Sequence, residues 1–275
     1  MATWANARLL PEDWAAPESC CAAKTALDIV VLTALCVGGA TAFGAFIGFL
    51  TRGIPEAIGD GLMAFAAGVM LAASVNGLII PAYESVHGPE MLVPTAGLML
   101  GALCIDLMDK TVPGIQRLMG CKSDDESTRG VVLFVLAIAV HNLPEGIAAG
   151  VGFGTENMAD AMLIAVGIAL QNLPEGMVLV TPMMSVGMKP RLAFLCAATT
   201  GVLEIAGTFI GYFASSLSER LLPLLLSLAG GAMLYVISDE MIPELHSGGE
   251  KKKATYALLG GFSLMMIING ILSMI

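Results

Sequence analysis

The sequence predicts an all-α polytopic membrane protein, with eight transmembrane helices arranged as an inverted 3 + 2 + 3 repeat. Three observations carry that expectation. Hydrophobic residues make up 56% of the 275 and charged residues only 13%, with a mean hydropathy of +0.82, whereas a soluble domain carries roughly 25% charged residues. Eight apolar runs are each long enough to cross a hydrocarbon core of about 30 Å. Pieces of the early runs also recur in the late ones at a nearly constant offset.

Residues 1–27 are expected to form an N-terminal tail or interfacial segment, and 28–275 a single transmembrane domain. Glu12, Asp13 and Glu18 in the tail, and the absence of a small-residue cleavage site, argue against a signal peptide. Trp4, Leu9, Leu10 and Trp14 suit a short interfacial segment equally well as a disordered tail.

The spans are placed at 28–50, 60–80, 91–109, 130–153, 160–186, 191–215, 221–241 and 254–275. The first and sixth carry Gly-x-x-x-Gly (Gly44 and Gly48, Gly207 and Gly211), a spacing that lets helix backbones approach closely. The fourth and fifth carry mid-span prolines, Pro144 and Pro174, which are expected to kink them. The sixth holds one acid, Glu204. Acids also crowd the end of the seventh, at Asp239 and Glu240.

Basic residues give the orientation. With the N-terminus outside, the inner loops hold Arg52, Lys110, Arg117, Lys122, Arg129, Lys189, Arg191, Lys251, Lys252 and Lys253, and the outer side only Arg8, Lys24 and Arg220. The positive-inside bias thus places both termini outside the cytoplasm, and the expected location is the cell's inner membrane. The net charge of −10 comes from scattered loop acids and points to no nucleic-acid partner. Six cysteines (Cys20, Cys21, Cys36, Cys104, Cys121, Cys196) show neither a CxxC pair nor zinc-ribbon spacing.

The repeat is read from short matches. Gly44–Phe49 returns as Gly207–Tyr212 at an offset of 163, and Ala67-Gly68 with Ile80-Pro81 returns as Ala229-Gly230 with Ile242-Pro243 at 162. An odd number of crossings separates the partners, which inverts one unit relative to the other. Secondary transporters use such inverted repeats to build a midplane site.

The polar core of the chain is a second repeat. His141-Asn142-Leu143-Pro144-Glu145-Gly146 and Gln171-Asn172-Leu173-Pro174-Glu175-Gly176 lie thirty positions apart in antiparallel spans. On a helix, residues three or four apart share a face, so His141 and Asn142 join Glu145, and Gln171 and Asn172 join Glu175. Pro144 and Pro174 free the carbonyls of Val140 and Leu170, beside the polar cluster. With Glu204, three carboxylates are buried in lipid at about 3 kcal/mol each. The chain offers no buried Lys or Arg to offset them. Protonation or a bound cation must do so, and two divalent ions would nearly neutralise three carboxylates. Oxygen ligands with one imidazole suit Zn, Fe, Mn or a similar divalent metal, and exclude an all-thiolate site.

At these residues the chain resembles the ZIP family of divalent-metal transporters, and most of all its bacterial members. The resemblance rests on His141-Asn142-x-x-Glu145-Gly146 and Gln171-Asn172-x-x-Glu175-Gly176, and extends over all eight spans. It implies a binuclear site. One metal would take Met63, His141, Glu145, Gln171 and Glu175. The other would take Asn142, Glu145, Gln171, Asn172, Glu175 and Glu204, with Glu145 and Glu175 bridging. Asp239 and Glu240 match a region near the family's metal exit path. Many relatives place His or Asp where this chain has Gln171 and Asn172, so the second position should be weaker here. The loop between the third and fourth spans, often His-rich, reads Cys121-Lys122-Ser123-Asp124-Asp125-Glu126. His87 and His246 lie near loops and suit solvated positions.

The expected function is transport of Zn²⁺, with Fe²⁺, Cd²⁺ and Mn²⁺ as further candidates, toward the cytoplasm. The resemblance also implies a homodimer and a sliding of spans 1, 4, 5 and 6 against 2, 3, 7 and 8. The metal is the substrate, and no organic cofactor is expected. A proton-coupled cation antiporter or channel using the same carboxylates is the alternative. An intramembrane metalloenzyme is disfavoured, because the chain has no His-Glu-x-x-His and no intramembrane Ser or Cys paired with His.

Overall fold

The structure, a computed structural model, describes residues 16–52, 54–111, 126–154, 158–243 and 251–274. The N-terminal residues 1–15, the loop 112–125 with Cys121, and His246 lie outside them. Every long element is a helix, and no strand occurs among the described residues. That is what lipid demands, because a helix meets its own backbone hydrogen bonds.

Helix α1 runs Ala16–Leu50, starting well ahead of the expected residue 28. Helix α2 runs Glu56–Ala73, widens into a π turn at Ser74–Ile79 and ends at Ile80–Glu84. A 3₁₀ turn leads into α3, Leu92–Asp109. Helices α4 (Glu126–Gly152), α5 (Met158–Ser185) and α6 (Pro190–Ser216) follow. Helix α7, Leu222–Val236, continues as a π turn at Ile237–Met241, and α8 is Lys251–Leu272.

Seven of these helical stretches, on α1 to α3 and α5 to α8, are long and apolar enough to cross a membrane. Helix α4, where the sequence predicts the span 130–153, is 27 residues long and is not counted among the seven. Several side chains in its first half lie outside the described residues.

Proline positions shape the ends and the bends. Pro190 opens α6 and Pro223 stands in the first turn of α7, where a missing N–H removes no helical bond. The π turn in α2 lies just before Pro81 and that in α7 just before Pro243. Each absorbs the hydrogen bond the proline cannot donate. The α4 helix continues through Pro144, and α5 through Pro174 and Pro182.

The helices fall into two sets by their contacts. In one, α1 packs on α5 and α6, and α4 packs on α6; in the other, α2 packs on α8, and α3 on α7. The α2–α5 and α4–α7 contacts join the sets around a core of Met70, Leu78, Ile164, Ile168, Met233 and Ile237. Outward residues such as Leu32, Leu92, Met99, Phe213 and Ile267 are large, apolar and exposed, as a surface in contact with acyl chains requires.

Glycines set the closest crossings, and they come in pairs. A Cβ on Gly44 would strike the Leu173 carbonyl, and one on Gly207 the Leu143 carbonyl; Gly48 meets the Met177 carbonyl, and Gly211 that of Ile147. Gly38 and Gly201 lie against each other's carbonyl oxygens. Adding 163 to the α1 numbers gives the α6 numbers, and subtracting 30 from the α5 numbers gives those of α4. The second set is paired in a similar way: Gly101 faces Leu228 and Gly261 faces Phe65, with Phe65 and Leu228 163 apart and Gly101 and Gly261 160 apart. The π turns conform too, since Ser74 and Ile237 are 163 apart.

Candidate metal centre

The α4 and α5 motifs sit at the heart of the first set. His141, Asn142 and Glu145 are buried on α4, as are Gln171 and Asn172 on α5, and Glu175 is half-buried. Glu204 on α6 has no exposed surface at all. Helical spacing aligns the polar residues of each motif on one face, and small Gly146 and Gly176 bring the neighbouring backbones in. A Cβ on Gly146 would strike the Glu204 carbonyl, and one on Gly176 the Thr41 carbonyl.

Glu204 is the hub of the hydrogen bonding. Its Oε1 accepts from Thr41 Oγ1 at 2.6 Å and from Asn142 Nδ2 at 2.6 Å. Its Oε2 accepts from Asn172 Nδ2 at 2.5 Å. Asn172 Nδ2 also reaches the Val37 carbonyl at 3.2 Å. One carboxylate thereby ties α1, α4 and α5 to α6.

That arrangement fixes two amides. A carboxylate only accepts, so Asn142 and Asn172 must each turn the NH₂ group toward Glu204 and the oxygen away from it. Both Oδ1 atoms are buried and have no hydrogen-bond partner, and so are Glu145 Oε2 and Gln171 Oε1. Gln171 hydrogen-bonds Glu145, and Glu175 and Glu204 lie close enough to Glu145 for their charges to repel. A buried acceptor left unpaired costs about 1–3 kcal/mol. Four such oxygens on two facing helices, three from amides and one from Glu145, with the charges of Glu175 and Glu204 acting on Glu145, form a donor set that a cation would satisfy. The oxygens are hard and three of them, the amide oxygens, carry no charge, which suits a divalent transition ion and not a soft thiolate-bound one. Among the described residues no three His, Cys, Asp or Glu side chains form a metal cage by themselves. The carboxamides fill out the set.

The structure thus brings together Asn142, Glu145, Gln171, Asn172 and Glu204, with Glu175 beside Glu145. Met63 is half-buried on α2, against the main apolar core. Asp239 is exposed in the π turn of α7; Glu240 belongs to the same turn, and its side chain lies outside the described residues. His87 is exposed in the α2–α3 connection. Cys36 and Cys104 are exposed on the apolar exterior. Thr41 was not singled out from the sequence. Its only signal there is the offset, because Thr41 and Glu204 are themselves 163 apart.

A simple substitution tests the hub. Glu204→Gln keeps size but swaps one acceptor oxygen for an NH₂ group among three donors. Destabilisation of about 1–3 kcal/mol is expected, read as a lower melting temperature in detergent. Glu204→Gln as stable as wild type would remove Glu204 from the hub.

Comparison with known proteins identifies the family. The family model described as ZIP zinc transporter matches residues 116–269, which include both motifs and Glu204. The zinc transporter GufA of Myxococcus xanthus is 35% identical over 246 residues, covering 87% of this chain and 97% of the relative. The zinc transporter ZIPB of Bordetella bronchiseptica is 37% identical over 84% of this chain and 77% of its own length. Human zinc transporter ZIP11 is 32% identical, over 84% of this chain and 93% of its own. With matches of that extent, and with helices able to cross a membrane, this chain is an integral membrane protein that belongs to the ZIP family of zinc transporters.

Proposed function

We propose that the protein carries Zn²⁺ across the inner membrane toward the cytoplasm through a binuclear intramembrane site. The observation that carries this reading is the set of four buried, unpartnered oxygens on α4 and α5, one of them from Glu145, with two further acids, Glu175 and Glu204, acting on that carboxylate. In this reading Met63, His141, Glu145, Gln171 and Glu175 hold the primary ion. Asn142, Asn172 and Glu204, with shared Glu145, Gln171 and Glu175, form the auxiliary position. Amides in place of charged ligands make that second position the weaker one. Fe²⁺, Cd²⁺ and Mn²⁺ are further candidate substrates. Zinc is favoured by the relatives, which are named zinc transporters.

The same proposal takes α4 as an eighth span and the helices as an inverted 3 + 2 + 3 repeat in one transmembrane domain, residues 28–275, with both termini outside. The paired glycine crossings and the paired π turns support the repeat. The grouping of α1, α4, α5 and α6 apart from α2, α3, α7 and α8 supports a sliding of one set against the other, in a homodimer.

Uptake into proteoliposomes of several divalent ions, with and without a pH gradient, tests the reading. Saturable zinc uptake is expected. Flux that needs a pH gradient and ignores divalent metal would favour a proton-coupled antiporter instead. Met63→Ala is expected to raise the half-saturating zinc concentration about tenfold, the equivalent of about 1.4 kcal/mol. Cadmium should lose more than manganese, because a thioether prefers the softer ion. An equal loss for both ions would take Met63 out of the site.

A further inference from the structure

We infer that the inner ends of α1 and α6 form a binding site for the headgroup of an anionic phospholipid. A cavity of about 680 Å³ opens there, lined by Phe49, Leu50, Arg52, Lys189, Pro190 and Arg191. Three of its six lining residues are cations and none is an acid. Arg52, Lys189 and Arg191 are all exposed, and no described carboxylate pairs with any of them. Unpaired cations around a concave site at a membrane boundary are a recognisable feature of lipid headgroup pockets.

Local structure holds these charges in place. The chain leaves α1 through a turn in which Arg52 N–H bonds the Phe49 carbonyl at 3.2 Å, and Arg52 takes a left-handed conformation, φ 57°. It is the only non-glycine residue with positive φ among those described. Such strained positions concentrate where a side chain must be aimed. Ile54 N–H is tied to Thr181 Oγ1 at 2.9 Å, which fixes the far side of the turn to α5. On the opposite wall Lys189 is extended, Pro190 starts α6, and no side chain caps that helix. Its positive end therefore faces the same space as the three cations.

The cavity is also amphipathic, and this separates a lipid from free phosphate. Phe49 lies 6.5 Å from Phe46 and 5.8 Å from Phe194, ring centre to ring centre, and Phe46 stacks edge-on with Phe194 at 6.2 Å. Phe46 and Leu50 are exposed on the apolar side. Acyl chains can follow this aromatic wall while the phosphate stays among the cations. Both walls belong to the α1, α4, α5 and α6 set, so the lipid would travel with the elements that hold the metal.

The inner-leaflet assignment rests on the orientation proposed above; the pocket itself does not. The test uses full-length protein in nanodiscs of phosphatidylcholine and phosphatidylglycerol, followed by native mass spectrometry of retained lipid. Wild type is expected to retain phosphatidylglycerol preferentially. The R52Q/K189Q/R191Q variant should lose that preference at least about tenfold, given the attraction of each cation for anionic lipid. The single Arg191→Gln variant should show a partial loss and serves if the triple variant does not fold. The K251Q/K252Q/K253Q variant should keep the wild-type preference; an equal loss there would reduce the effect to general surface charge and overturn the site. Inorganic phosphate that displaces phosphatidylglycerol at millimolar concentration would overturn the lipid as occupant. In intact cells, an impermeant maleimide that labels Arg191→Cys above the wild-type background would overturn the orientation while leaving the nanodisc result intact.

Discussion

Glu145→Ala is expected to bring zinc uptake down to that of protein-free vesicles. Glu145 stands at the junction of the two motifs: Gln171 bonds it, the charges of Glu175 and Glu204 act on it, and its Oε2 is buried without a partner. A divalent ion in lipid needs compensating charge within contact distance. Removing one carboxylate forfeits on the order of 3 kcal/mol of that compensation, a factor of roughly 150 in occupancy. Glu145→Gln is the sharper variant. It preserves shape and much of the contact with Gln171, and removes only the charge, so it should be almost as inactive. Glu145→Gln should be no less stable than wild type, because it relieves repulsion among the acids, whereas Glu145→Ala also leaves the buried Gln171 amide without its partner and should lose about 1–3 kcal/mol. In both variants the shift of melting temperature on adding zinc should disappear. Glu175→Ala should behave alike. Uptake at the wild-type rate by Glu145→Ala would sink the metal assignment, whatever its stability.

The sequence revealed the helices, the two motifs and Glu204, because each is a local signal in an apolar background. A carboxylate or an Asn-Leu-Pro-Glu-Gly stands out against leucine and alanine without knowledge of what it touches. Thr41 carries no such contrast. One threonine in an apolar helix is ordinary, and it matters only because Glu204 lies against it in space, 163 residues away. The direction of the Asn142 and Asn172 amides was equally hidden, since it depends on both facing the same acceptor. The π turns escaped for another reason. Pro81 and Pro243 announce a break in the bonding pattern, but proline alone does not choose between a kink, a helix end and a widened turn. The start of α1 at Ala16 was unreadable because Glu18 and Lys24 end the apolar run before the helix ends.

Gly176→Val is expected to damage both the fold and the site without touching a proposed ligand. A Cβ at position 176 would lie against the Thr41 carbonyl and the Ala45 amide, both backbone atoms of α1 that cannot rotate away. The helices must separate, at a cost of about 1–3 kcal/mol for overpacking. Separation of α5 from α1 would also pull on Asn172, whose NH₂ group bonds both Val37 on α1 and Glu204 on α6. Zinc affinity should therefore fall along with the melting temperature. Gly146→Val makes the matching collision with the Glu204 carbonyl and should produce the matching pair of losses. Gly39→Val, on the same α1 helix with nothing within 4 Å of its Cβ position, should change neither. If Gly176→Val lowered stability but left zinc affinity intact, the crossing would be a packing device only. Loss of both, in both members of the pair, would mean that the glycines which let the helices meet also set the positions of the amides between them.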